Sequence, residues 1–345
     1  MKILVPGGCG FVGSHVVETF ANEGEEVIAL DNFSRSSILK SAERSRKAKM
    51  HNYNYLKKLK EKKGLKIEFV KGDIRKMKDL EGIGKVDGII HTAAQVAVTS
   101  SLEDPFTDFS INALGTLNLL EHARKSNASF IYCSTNKVYG DNGNKLELEE
   151  KEKRYSYKNA KGISEEFSID LCEHTPYGCS KLTGDLYVQD YGHLYGMHTG
   201  IFRMSCQYGP RQFGNEDQGW VAHFVFNTVR GKDITIYGDG KQVRDLLYAS
   251  DLVAIYKAFL NNKSLKGEVF NTGGGPNNTI SLLELLDLLE KLTGKRSKIT
   301  FSSWRPSDQK VYISNIDKAK RVLNWEPKVG VEEGVGKLVE WAKTI

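Results

Sequence analysis

Five short apolar runs punctuate the first 135 residues, at positions 2–5, 27–30, 67–70, 88–91 and 129–132. None alternates apolar with polar, so each reads as a strand buried on both faces. Helical spacing lies between them, over 12–22 and again from about 108 to 125. In the second stretch Ile111, Leu114, Leu117, Leu119 and Leu120 form the apolar side. A further helix over about 179–195 and a strand over 199–204 continue the rhythm. Strands alternating with helices predict an α/β protein with a doubly wound parallel sheet. Past residue 205 the pattern changes. Helices over 219–230, 249–260, 281–292 and 316–323 dominate, with short strands at 234–236 and 269–271. This predicts a first domain over 1–204. A smaller mixed α/β domain follows over 205–345, with segments that return to the first. No Pro/Gly/Ser-rich linker separates the two, so they are expected to share a cleft. No internal repeat is present.

Composition narrows the class. The chain has 345 residues, 40% hydrophobic and 27% charged, the balance of an ordinary soluble protein. No apolar run approaches the ~20 residues that cross a bilayer. The opening Met-Lys-Ile-Leu-Val-Pro-Gly-Gly turns glycine-rich at once, unlike a signal peptide. No membrane partner and a cytoplasmic location are therefore expected. Five scattered cysteines without a C-x-x-C pair argue against disulfides and against a metal site. The net charge is +6, and positions 40–66 hold eleven of the basic residues, from Lys40 to Lys66, with Tyr53 and Tyr55 among them. Such a tract suits either a nucleic-acid surface or a solvated helix inserted into an enzyme. The second reading is preferred, because 43 acidic residues counter the charge and no recognition motif accompanies it. No nucleic-acid partner is expected.

The segment "VPGGCGFVGSH" sets Gly7, Gly10 and Gly13 between the first strand and the first helix. Glycine there lets the backbone turn tightly and approach a pyrophosphate, which the helix N-terminus attracts. Asp31 ends the next strand, where a carboxylate meets adenosine ribose hydroxyls and repels a 2′-phosphate. This favours NAD over NADP, although Arg35 is close by. Asp73, in "KGDIR", can meet the adenine amino group. Ala93, Ala94 and Gln95 follow the fourth strand and are small enough for a dinucleotide to pass. The candidate cofactor contacts are thus Gly7, Gly10, Phe11, Val12, Gly13, Asp31, Asn32, Ser34, Arg35, Asp73, Ile74, Ala93, Ala94, Gln95, Asn112, Ser134, Tyr177 and Lys181.

Tyr177 and Lys181, in "TPYGCSK", stand at i and i+4, on one face of a helix. A tyrosine with its ordinary pKa of ~10 is a poor base. A neighbouring ammonium lowers that value and fits Tyr177 to take a proton from a sugar hydroxyl. Thr135, at the end of the fifth strand, is a candidate to orient that hydroxyl.

Together these features resemble the extended short-chain dehydrogenases/reductases, and within them the NAD-dependent nucleotide-sugar epimerase/dehydratase family. The resemblance covers nearly the whole chain and implies a Rossmann-type NAD domain. "YGPRQ" and "GKQVRDLLYASD" match the family's substrate-domain signatures, which implies that Arg211 and Arg244 hold a nucleotide diphosphate. "STNKVYGD", "PRQFGNEDQGWV" and "GKQVRD" resemble more narrowly the 2-epimerase branch that acts on CDP-paratose and CDP-tyvelose. This implies substrate contacts from Gln95, Thr135, Asn136, Arg211, Gln218, Gly219, Trp220, Val221 and Arg244. Family dehydratases carry Thr-Asp-Glu where this chain has Thr135-Asn136-Lys137, so elimination of water is not expected. What remains is oxidation to a keto-sugar and re-reduction, with Tyr177, Lys181, Thr135 and Asn136 as catalytic residues. C2 of CDP-glucose or GDP-mannose, C4 of a UDP-sugar, and a non-catalytic NAD- or RNA-binding module stay open as alternatives. The resemblance also implies a homodimer or homotetramer built on helices 108–125 and 179–195.

Overall fold

A computed structural model describes residues 1–34, 44–305 and 307–345. Arg35 and Lys40 lie outside them. The chain divides into two compact units. The first comprises residues 1–135, 175–203 and 253–270, and the second 136–174, 204–252 and 271–345.

In the first unit seven strands form one parallel sheet. They are β1 (Lys2–Pro6), β2 (Glu26–Asp31), β3 (Ile67–Lys71), β4 (Gly88–His91), β5 (Ser129–Thr135), β6 (Thr199–Met204) and β7 (Glu268–Thr272). Their order across the sheet is β7-β6-β5-β4-β1-β2-β3. The chain runs outward from β1 to β3, then returns to lay β4 on the other side of β1. Such a reversal opens a crevice at the carboxyl ends of the strands, where α/β proteins bind ligands. Ile3, Leu4, Val5, Ile28, Ile89, Ile90, Phe130 and Ile131 are all buried, which is why these strands show no period of two.

Helix α1 (Phe11–Asn22) follows β1, and α2 (Arg44–Lys63) follows β2. The helix expected over 108–125 is not uniform. A short turn, Pro105–Phe109, passes into a π turn, Ser110–Leu114, and only then into α3 (Gly115–Ser126). Helix α4 spans Thr175–Tyr195, four residues longer at its start than its apolar pattern suggests, so it contains Tyr177. The strand expected at 269–271 lies in the main sheet as its edge, β7.

The second unit holds small sheets and helices. Val243–Tyr248 pairs with Cys206–Tyr208, Thr279–Ser281 and Val311–Tyr312. Helix Leu282–Thr293 begins with a reciprocal cap between Ser281 and Glu284. Residues 136–174 group here rather than with the first domain, where a single boundary at 204 placed them. They contribute a hairpin of Leu148–Glu150 with Tyr155–Tyr157. Among the described residues no helix is long and apolar enough to cross a membrane.

Candidate active site

The glycine loop is shaped by close approaches. Gly7 adopts φ +76°, and a Cβ there would fall 2.7 Å from the Ala93 nitrogen. A Cβ on Gly13 would fall 2.1 Å from the Gly7 carbonyl oxygen. Gly10 caps α1 with no side-chain hydrogen bond, and no acid occupies the first turn. The N–H groups of that turn, at Phe11, Val12 and Gly13, are thus suited to phosphate oxygens.

Asp31 ends β2 with both carboxylate oxygens oriented. The Cys9 N–H donates to one at 3.1 Å and the Phe33 N–H to the other at 2.8 Å. Burial raises its pKa, and the two backbone donors act the other way. Asn32 donates its amide to Asp73 at 3.1 Å and accepts the Ser34 N–H at 3.0 Å. Asp73 is gripped by Arg75 at 2.6 Å, which pulls its pKa down to about 2. That carboxylate therefore already has a cationic partner. Ile74 is buried against α3, where a Cβ on Gly115 would come 2.5 Å from it. This set of uncapped amides and an oriented ribose-type acid fits a dinucleotide.

The next residues form a buried polar network. Gln95 donates to the Ala97 carbonyl at 2.9 Å and to Asp108 at 2.8 Å. Asn112, in the π turn, exchanges hydrogen bonds with the Gln95 backbone and donates to Asp108 and to Ser180. The Ser180 hydroxyl also donates to Asp108. Gln95 and Asn112 are thus internal braces in this structure, although the sequence suggested both as ligand contacts. Ser134 is likewise buried, and its hydroxyl donates at 2.6 Å to Asp185, which pairs with Arg203.

Tyr177 and Lys181 rise one turn apart from α4. The Tyr177 hydroxyl bonds with Thr135, and burial pushes its pKa up to about 12. The Thr135 bond works in the opposite direction. The Lys181 ammonium donates to the Cys133 carbonyl at 2.7 Å and lies 4.0 Å from the Tyr132 ring centre. Burial lowers its pKa to about 8.

In the second unit, Asn136 donates to Gln309 at 3.3 Å. Arg244 donates to Asp308 at 2.7 Å and to the Val243 carbonyl. Lys137 lies 4.0 Å from the same Asp308 carboxylate. Burial lowers the Lys137 pKa, and Asp308 opposes that shift. Arg211 is buried with φ +67°. Gln218 closes a turn with Asn215, and Gly219 (φ +75°) caps helix Trp220–Val229. The Trp220 indole donates to the Cys206 sulfur at 3.3 Å, while Val221 is buried.

Sequence reasoning missed Asp108 and Ser180, whose partners lie 72 residues apart. It also missed a pocket of about 500 Å³ in the second unit, lined by Trp304, Arg305, Ser307, Asp308 and Lys310 among others. The only advance signal was the run "WRPSDQK", with an aromatic and two cations close together.

Comparison with known proteins places the chain. Residues 4–338 match the family described as GDP-mannose 4,6 dehydratase. The chain is 40% identical to a CDP-paratose 2-epimerase of Salmonella typhi, covering all of both proteins. A UDP-glucose 4-epimerase of Thermotoga maritima, solved with UDP-glucose, superposes with a TM-score of 0.82 at 30% identity, covering 100% of this chain and 99% of that one. A UDP-glucuronic acid 4-epimerase of Bacillus cereus, solved with UDP-glucuronic acid and NAD, gives 0.81 at 28% identity over the same shares. The chain belongs to the GDP-mannose 4,6 dehydratase family, an NAD-dependent enzyme family within the extended short-chain dehydrogenases/reductases.

Proposed function

We propose that this enzyme inverts C2 of a CDP-hexose of the paratose/tyvelose type, through transient oxidation to a keto-sugar and re-reduction on the opposite face. The reading is carried by the two residues next to Thr135 in the chain. Asn136 has no proton to give as an acid, and Lys137 pairs with Asp308. Neither supplies the acid–carboxylate pair that removal of water requires. The 40% identity to a CDP-paratose 2-epimerase supports the choice of carbon and nucleotide.

NAD, when bound, supplies a reversible hydride acceptor. The first turn of α1 and Asp31 would hold it. Thr135 orients the reacting hydroxyl, and Tyr177 takes its proton and later returns it. With its pKa pushed up to about 12 before cofactor and substrate arrive, Tyr177 rests as the neutral phenol. A positive charge brought by the cofactor favours its ionised form. Arg244 keeps Asp308 on one edge and offers its other N–H groups to the diphosphate. Arg211, Gln218, Gly219 and Trp220 belong to the same substrate assignment. A homodimer or homotetramer in the cytoplasm completes the reading.

The alternative is C4 epimerisation of a UDP-sugar, which the likeness to the Thermotoga enzyme favours. Incubation with CDP-, GDP- and UDP-sugars in deuterium oxide, with NMR of the products, separates these readings. The expected product is a C2-inverted CDP-sugar without deuterium at that carbon. Deuterium there would overturn the mechanism, and turnover of UDP-sugars alone would overturn the substrate. Tyr177→Phe should lose roughly 10²–10⁴-fold in kcat.

A further inference from the structure

Helix α2 has no part in the chemistry above, and its sequence suggests a solvated insert. One edge of it is packed instead. Asn52 is only 2% exposed and Leu56 is fully buried. The Asn52 amide donates at 3.2 Å to the carbonyl of Gly10, the residue that caps α1. That oxygen also accepts the Ser14 N–H at 3.0 Å, the first bond of the helix. Two donors fix the direction of the carbonyl. A peptide group is planar, so they also fix the Phe11 N–H on the other side of the bond. This N–H is one of those left open for a phosphate.

The next residue reaches the rest of the cradle. Tyr53 meets Phe33 edge-on at 5.9 Å and Phe69 at 4.9 Å. Phe33 is the residue whose N–H orients Asp31, and Phe69 lies on β3, four residues before Asp73. Tyr55 donates to Glu18 at 2.6 Å and Lys63 to Asn22 at 2.8 Å, so the helix is also tied along α1. The two tyrosines set between basic residues thus make contacts inside the unit, beside the cofactor loop.

We propose that helix α2 is a clasp on NAD, with Asn52 and Tyr53 as positioning residues that hold the pyrophosphate loop and the Asp31 turn in their binding shape. The clasp slows release of the cofactor. An enzyme that takes a hydride and returns it to the same sugar gains from this, because losing NADH midway strands a keto-sugar. The proposal rests on NAD binding alone, so failure of the sugar assignment leaves it standing.

The test is exchange of bound NAD against a fluorescent etheno-NAD in the holoenzyme, without sugar. Asn52→Leu keeps the size and removes the donor. It should speed exchange roughly fivefold to tenfold, the effect of one lost hydrogen bond. Tyr53→Ala should do the same, while Tyr53→Phe and the exposed Lys58→Ala exchange as the wild type does. Melting of the NAD-free proteins separates a clasp from general weakening: the clasp predicts a larger gain in exchange rate than in a second-unit core variant, Val339→Ala or a milder one, chosen for an equal fall in apo melting temperature. Exchange by Asn52→Leu and Tyr53→Ala within twofold of wild type overturns the proposal. A gain in rate no larger than that control shows also overturns it. If Asn52→Leu does not fold, the Tyr53 pair decides alone.

Discussion

Lys181 carries an ammonium into a place that water does not reach. Its charge is met by one carbonyl and one aromatic face, and burial still lowers its pKa to about 8. The unfolded chain holds that proton up to ~10.5. The stabilising effect is therefore present above the unfolded pKa and is lost as pH falls through about 8, because the folded state must then keep the charge buried. Between pH 8 and 10.5 this residue alone should raise stability with pH, by on the order of 3 kcal/mol. Urea midpoints across this range check it. The Lys181 effect is read as the difference from Lys181→Met: the wild type should gain on the variant as pH rises, because buried thiols such as Cys133, whose pKa burial raises, oppose the slope equally in both proteins. The Tyr177–Lys181 pair was legible in sequence because i and i+4 is a local relation. Asp108 and Asn52 were not, because their partners lie 72 and 42 residues away and only the fold joins them.

At the level of elements, the seating of α4 on β5 depends on a missing side chain. A Cβ on Gly184 would fall 2.4 Å from the hydroxyl oxygen of Tyr132, which is fully buried on β5. That hydroxyl also donates to the Lys181 carbonyl at 3.2 Å. Gly184→Ala must therefore move the helix or the tyrosine. Overpacking of this kind typically destabilises by about 1–3 kcal/mol. Urea unfolding should show this loss, accompanied by a lower kcat, since α4 carries both Tyr177 and Lys181. Gly184→Ala with wild-type stability would mean that the two elements are not in contact in solution. The strands themselves were readable, because burial on both faces writes a continuous apolar run. The π turn at Ser110–Leu114 was not. It takes up one extra residue in an otherwise continuous helical run, and it carries Asn112 into the polar network around Asp108. The strands at Leu148–Glu150 and Tyr155–Tyr157 escaped notice because three residues are too few to show a period.

For the whole molecule, the alternation of strands and helices announced the doubly wound sheet. The sugar was not legible in the same way, since one fold serves many substrates. The surface of the first unit bears on the proposed association state. Phe106 is 87% exposed, Leu194 72%, Tyr195 55% and Phe109 54%. These residues lie on the segment Pro105–Phe109 and on α4, which pack against each other. Phe106 and Phe109 lie beside the start of α4, while Tyr195, at its end, packs on Tyr191 and Arg124, so apolar side chains stand open near both ends of the helix. Helices 108–125 and 179–195 are expected by resemblance to build a homo-oligomer, and we propose that these exposed apolar side chains are covered in it. Light scattering should therefore give at least twice the chain mass of 38.7 kDa. Phe106→Glu and Leu194→Lys place a charge near each end of α4, and the double variant should dissociate to the single-chain mass. Neither side chain is part of the core, so the monomer should keep its NAD content. A wild-type mass of one chain, or a double variant that stays associated, would show that these side chains are open in solution.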